Sequence, residues 1–249
     1  MADILERGDI YFLYRPRVEQ QTADGLEDVQ RFFVILSPRG KSTYRLIVVG
    51  RKKLPEVETH RDRGWGFVGK VSHRPEDIED DLDALTYSTR TRGERHLAPA
   101  RPAGEGVYAL VRHGDHTHLA FALELPERPG AVQRDLNIPE EGSYILAVKN
   151  PEQPAPPGVG LPEQEQPPLP SHLRERFAGR RFAPVDPPTF LDHEGVEIVF
   201  IGAGEDVSGE LGVWLDPQRE TLGTAEIFND LHVERSQHPL QPLFEGKWR

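Results

Sequence analysis

No cysteine occurs among the 249 residues. That absence removes disulfides, thiolate zinc sites, iron–sulfur clusters and thiol nucleophiles together. Long hydrophobic runs are missing too, and no stretch approaches the ~20 apolar residues a membrane-spanning helix needs, so no membrane partner is expected. The opening Met1-Ala2-Asp3-Ile4-Leu5-Glu6-Arg7-Gly8 carries charge where a secretory leader would be apolar, and a cytoplasmic location is expected from it. Also absent are a G-x-S-x-G elbow, an H-E-x-x-H helix, a phosphate loop and a kinase signature, so the familiar catalytic classes lose support.

What is present points to a folded, polar-surfaced chain. Apolar residues make up 37% and charged residues 29%, enough of the first to form a core and enough of the second to keep its surface wet. Glycine and proline, 23 of each, break helices and central strands, so short elements joined by many loops are expected. This is an acidic protein, with a net charge of −11 that repels polyanions at long range. A protein partner is therefore favoured over nucleic acid.

Residues 151–170 read PEQPAPPGVGLPEQEQPPLP, with eight prolines. Fixed φ and missing N–H donors make this segment a semi-rigid strap or linker. It divides a β-rich body, residues 1–150, from a C-terminal portion, residues 171–249. Within the body two units, about 8–56 and 104–152, share an order of glycine-led and proline-stopped apolar runs. Gly8–Arg15 matches Gly104–Arg112, Arg31–Pro38 matches His118–Pro126, and Tyr44–Val49 matches Tyr144–Val148. The tyrosine pairs Tyr11/Tyr108 and Tyr44/Tyr144 are offset by 97 and 100 residues, which suggests an internal repeat of a β meander. The expected fold is mainly β (α+β): two related antiparallel meanders forming a sandwich or barrel-like body, with a small α+β C-terminal portion.

Between the units, Pro75–Leu85 predicts a helix with Ile78, Leu82 and Leu85 on one face and acids on the other, proline and acids suiting its first turn. After the strap, a short helix from Ser171, a strand at 196–201 and a helix over 224–231 are expected, with Phe244 and Trp248 pinning the tail. Ile201-Gly202-Ala203-Gly204 invites a dinucleotide reading, but Val207 stands where the third glycine belongs and Glu205-Asp206 place negative charge where phosphate would sit, against that fingerprint.

The sharpest cluster is His113-Gly114-Asp115-His116-Thr117-His118. A two-residue turn on Gly114-Asp115 sets His113 opposite His116, Val111 opposite His118 and Leu110 opposite Leu119. Alternation then puts His113, His116 and His118 on one face, and Tyr108, Leu110, Leu119, Phe121 and Leu123 on the other. Opposed Cβ atoms lie roughly 5 Å apart, so the three imidazoles are candidate ligands for a transition metal such as zinc, as in a metal-dependent hydrolase. The plain reading of the same residues is a solvated turn.

Basic residues gather in two stretches, one with Arg51, Lys52 and Lys53 and no acid from 39 to 55, the other with Arg90, Arg92 and Arg95. Side by side they would bind phosphate or a nucleic-acid backbone. Neutralisation by the acidic helix at 76–83 is the alternative. Trp65, between Gly64 and Gly66, suits core packing or the lining of a pocket. On balance the sequence favours a non-enzymatic binding or interaction protein, with the histidine metalloenzyme and the phosphate-binding basic groups as alternatives.

Overall fold

Strands rich in β-branched and aromatic residues at period two leave one side apolar, and a sheet can hide that side by curling on itself. This chain does so. The computed structural model describes all residues except 1, 60–61, 155–160, 162–168, 219, 222, 234–237 and 249. In it β1 (Asp3–Pro16), β2 (Val29–Pro38), β3 (Tyr44–Val49) and β4 (Arg63–Ser72) form one antiparallel meander. A second comprises β7 (Arg101–His113), β8 (His116–Leu125), β9 (Glu141–Lys149) and β11 (Glu197–Gly204). Pairing of β1 with β7 and of β4 with β11, both antiparallel, closes an eight-stranded barrel. The short β10 (Phe182–Pro184) pairs with residues 147–149 of β9, beyond residues 141–146 that β8 pairs with. β5 (Leu85–Thr89) and β6 (Gly93–Leu97) make a separate hairpin, which the sequence reading did not anticipate.

Inward residues of all eight strands fill the lumen. Phe12 stacks on Phe32 with ring centroids 6.3 Å apart, meets Phe121 at 5.2 Å, and the chain of rings continues through Tyr144 to Phe200. Eight strands leave an interior just wide enough for such side chains. At one end α2 (Ala131–Leu136) adds Val132 and Leu136 to the core, and Trp248 packs on Tyr14 at 5.0 Å and donates to Asp135 at 2.8 Å. The tail is pinned as the sequence predicts.

The other end holds a buried polar network. Arg45, with no exposed surface, donates to both oxygens of Glu6 at 2.6 and 3.1 Å and to Asp192 at 2.7 Å, while Tyr108 donates to Glu6 at 2.9 Å. Each partner satisfies a group that would be costly alone. Asp192 belongs to the turn Pro188–Asp192, which with α3 (Ser171–Arg174) and Phe177 contributes Leu173, Phe177, Phe190 and Leu191 to the same core.

Outside the barrel, two stretches of wall are covered. α1 (Pro75–Leu82) and the C-terminal residues Ala225, Ile227, Leu231, Val233 and Leu243 pack on Tyr11, Leu13, Phe33, Ile35, Leu46 and Val48. α4 (Val207–Leu211) covers Ala109, Val111 and Ala120. The helix expected over 224–231 is shorter, α5 (Ile227–Asp230), and α6 (Gln241–Glu245) follows it.

The fold is thus the barrel form of the mainly β architecture. The strand expected at 196–201 is β11, whose hydrogen bonds join residues after the proline-rich stretch to those before it. Most of that stretch, 155–160 and 162–168, lies outside the described residues. Each meander contributes four strands in the same succession. The tyrosines that suggested the repeat face opposite ways: Tyr108 and Tyr144 point into the lumen, Tyr11 and Tyr44 onto the outer wall. In β11, Gly202 packs so closely that a Cβ would overlap the Glu56 carbonyl oxygen, which explains glycine there without a phosphate.

Candidate functional site

The wall formed by β4, β11, β9 and β10 carries an open groove of about 510 Å³. Register builds its floor. Trp65, Val199, Ala147 and Pro184 lie in one row across four strands, and Arg63, Ile201, Ile145 and His118 in the next. These positions alternate with Leu146, Val148, Ile198 and Phe200, which fill the lumen, so the same strands supply core on one side and groove on the other. Across the floor the rings of Trp65 and Phe182 meet edge to face, 6.0 Å apart at 61°. Trp65 is half-buried, the pocket-lining alternative of the sequence reading. Lys149, the cross-strand neighbour of Phe182, forms a buried ion pair with Glu197 at 2.8 Å.

Charge gathers at the corners of this floor. Arg63 stands on the β4 side and Arg180 and Arg181 precede β10. Arg180 is tied back, donating to the carbonyls of Phe177 and Arg176. Arg39, Arg45, Arg51, Arg74, Arg95 and Arg112 each meet a carboxylate at 2.5 to 3.1 Å; Arg63 and Arg181 meet none among the described residues. Asp115 and His116 border the groove from the tip of the β7–β8 hairpin.

That hairpin has the predicted register throughout: His113 faces His116, Val111 faces His118 and Leu110 faces Leu119. Gly114 turns with φ of 59°, the left-handed conformation that favours glycine. His113 and His116 are exposed, whereas His118 is buried and its Nδ1 has no hydrogen-bond partner. Burial, helped by the neighbouring His113 and His116, pushes His118 down to about 4, which leaves it neutral at physiological pH. The rings of His113 and His118 are 5.9 Å apart. The three imidazoles are not gathered within ligand distance, and a shared ion would require the two exposed rings to turn.

The two basic groups occupy different loops. Arg51, Lys52 and Lys53 follow β3, with Arg51 paired to Asp62; Arg90 and Arg92 sit at the turn of the β5–β6 hairpin and Arg95 pairs with Glu19. No hydrogen bond or ion pair among the described residues joins one group to the other. Among the described residues, the acids of the helix pair instead with Lys70, Arg74 and His232.

A second cavity, about 500 Å³, lies between Phe33, Leu46, Val48 and Phe67 on the wall and Tyr87 and Leu97 of the β5–β6 hairpin. Part of its charge is used, since Arg15 donates to the carbonyls of Asp81, Asp83 and Ala98 and Asp81 faces Lys70, whereas Arg31 and Asp80 meet no opposite charge among the described residues.

An acidic cluster that the sequence reading missed clasps the C-terminal segment. Carboxylate oxygens of Asp9, Glu226 and Asp230 lie within 4.8 Å of one another, the one group among the described residues close enough to share a cation. Beside them Glu105 accepts from the backbone N–H groups of Glu226 and Ile227 at 2.6 and 3.3 Å, and Glu124 accepts from that of Gln218 at 2.5 Å. Burial, and then a proton shared with Glu220, pushes Glu105 up to about 9; burial pushes Glu124 up to about 7. The sequence signal for both was a glutamate inside an otherwise apolar strand.

Fold and site together define a closed antiparallel β-barrel with a packed lumen and an open, cationic groove on its outer wall. Among protein-family models, curated proteins and solved structures, none matches the chain.

Proposed function

We propose that this chain is a non-catalytic binding protein whose outer-wall groove holds a small molecule. One observation carries the reading: a groove of about 510 Å³ with an apolar floor and charged corners, the size and composition of small-ligand sites. With the lumen occupied by rings, binding belongs on the wall. The groove's lining contains no serine, threonine, cysteine or lysine side chain, and its two other reactive groups, Asp115 and His116, sit at the exposed hairpin tip on its border, which favours holding a ligand over attacking one.

Crystals soaked with a small-fragment library test this. Fragments should collect on Trp65 and Phe182 ahead of the Phe33/Phe67 cavity, and should be recovered chemically unchanged. Fragments confined to the other cavity, or converted on the protein, would contradict the reading.

A further inference from the structure

We propose that the groove selects a flat organic oxyanion, a carboxylate or phosphate monoester on an aromatic body. The body would lie on Trp65 and Phe182, with the charge answered by the corner guanidiniums. This rests on the reading of the groove as a ligand site and adds the chemistry of the occupant.

Charge complementarity is the main argument. In a chain of net charge −11, Arg63 and Arg181 meet no carboxylate among the described residues, as is true also of Arg31, Arg90 and Arg92 elsewhere, but these two border one apolar floor. Neither donor fork is spent on the chain, so both are available to a group outside it. Arg180, anchored to the Phe177 and Arg176 carbonyls, adds fixed positive charge beside Phe182. The single carboxylate in the lining is Asp115, at the exposed hairpin tip next to His116.

Shape supplies the second argument. Between the corners, Val199, Ala147, Ile145 and Ile201 form an apolar strip of sheet surface, beside which the rings of Trp65 and Phe182 meet edge to face. A planar ring can slide onto either aromatic face, gaining contact that a bulky or fully hydrated anion cannot. An extended peptide fits less well, because β10 offers only three residues of edge, one of them Pro184, and proline and short length blunt strand addition.

Calorimetric titration with four naphthalene probes separates the layers of this inference: 2-naphthoate, 2-naphthyl phosphate, neutral 2-naphthol and 1-naphthylmethylammonium. The two anions should bind at least roughly tenfold more tightly than 2-naphthol, the worth of a charge-assisted hydrogen bond, with the ammonium weakest. Arg63→Gln with Arg181→Gln should reduce the anions to the level of 2-naphthol and leave 2-naphthol itself unchanged, both residues being exposed. Trp65→Ala should weaken all binders. Equal binding of 2-naphthol and 2-naphthoate, weakened by Trp65→Ala, would overturn the anion selection while keeping the groove. Failure of all four probes to bind, or binding indifferent to Trp65→Ala, would overturn the groove reading itself.

Discussion

Methionine in place of Arg45 is expected to cost about 3–5 kcal/mol of folding stability, the usual penalty for stranding one member of a buried ion pair. Glu6 lies at 4% side-chain exposure and draws two of its hydrogen bonds from Arg45. Without the guanidinium it keeps Tyr108 and the half-exposed Lys41, at 2.9 and 3.2 Å, too little to offset a carboxylate held out of water. Adding Glu6→Gln should recover most of the loss, because the glutamine still accepts from Tyr108 and carries no charge. Urea unfolding of the wild type and the two variants measures this. A single-variant loss below about 1 kcal/mol would mean that water reaches this end of the barrel.

Alkaline loosening of the C-terminal segment is the second large effect. In the unfolded chain Glu105 and Glu124 titrate near the ordinary 4.5, and in the fold near 9 and 7. The folded form therefore holds protons that the unfolded form has shed. Their contribution is fully present below about pH 4.5 and is withdrawn as pH rises, past about 7 for Glu124 and about 9 for Glu105. Facing them are Asp9, Glu220, Glu226, Asp230 and the Tyr11 hydroxyl, with Arg39 on Asp9 as the opposing cation. Each ionisation adds negative charge to a crowded acidic surface. His118, lowered from 6.5 to about 4, acts oppositely and in a lower window, its neutral form lost only in acid.

Amide hydrogen exchange at Gln218, Glu226 and Ile227, corrected for the intrinsic rate, should accelerate at least roughly tenfold from pH 6 to 9, equivalent to one pK unit. Glu105→Gln with Glu124→Gln should flatten that rise. Glu105→Ala, which orphans two backbone N–H groups, should cost about 2–3 kcal/mol in mild acid, where Glu105 holds its proton, and less as pH rises. Protection that is independent of pH in the wild type would contradict the assignment of these protons.

Local patterns were legible in the sequence and long-range ones were not. The β7–β8 hairpin could be read residue by residue, because a glycine turn and period-two alternation fix register without outside help. The start of the helix at Pro75 was equally local, its proline and acids marking it, but the helix stops at Leu82, and Leu85, expected on its apolar face, is an exposed residue of β5. Closure of the barrel depends on β1 with β7 and β4 with β11, strands far apart in sequence whose pairing no local signal specifies. The tyrosine offsets misled at residue level because a one-residue slip exchanges the faces of a strand. The groove draws on residues 63–65, 145–147, 180–184 and 199–201, and only the cross-strand rows assemble them. Arg51–Lys53 and Arg90–Arg95 looked like a site because charges cluster along the chain, whereas Arg63 and Arg181, far apart in sequence, border one groove.

The most direct test of the groove is a titration of isotope-labelled protein with 2-naphthoate, followed by NMR at the methyl groups and indole N–H signals. Saturable shifts should centre on the Trp65 indole and on Ile145, Val199 and Ile201, and should need at least roughly tenfold more ligand in the Arg63→Gln, Arg181→Gln double variant. Shifts centred instead on Leu46 and Val48 of the second cavity, or spread evenly over the barrel, would contradict the account.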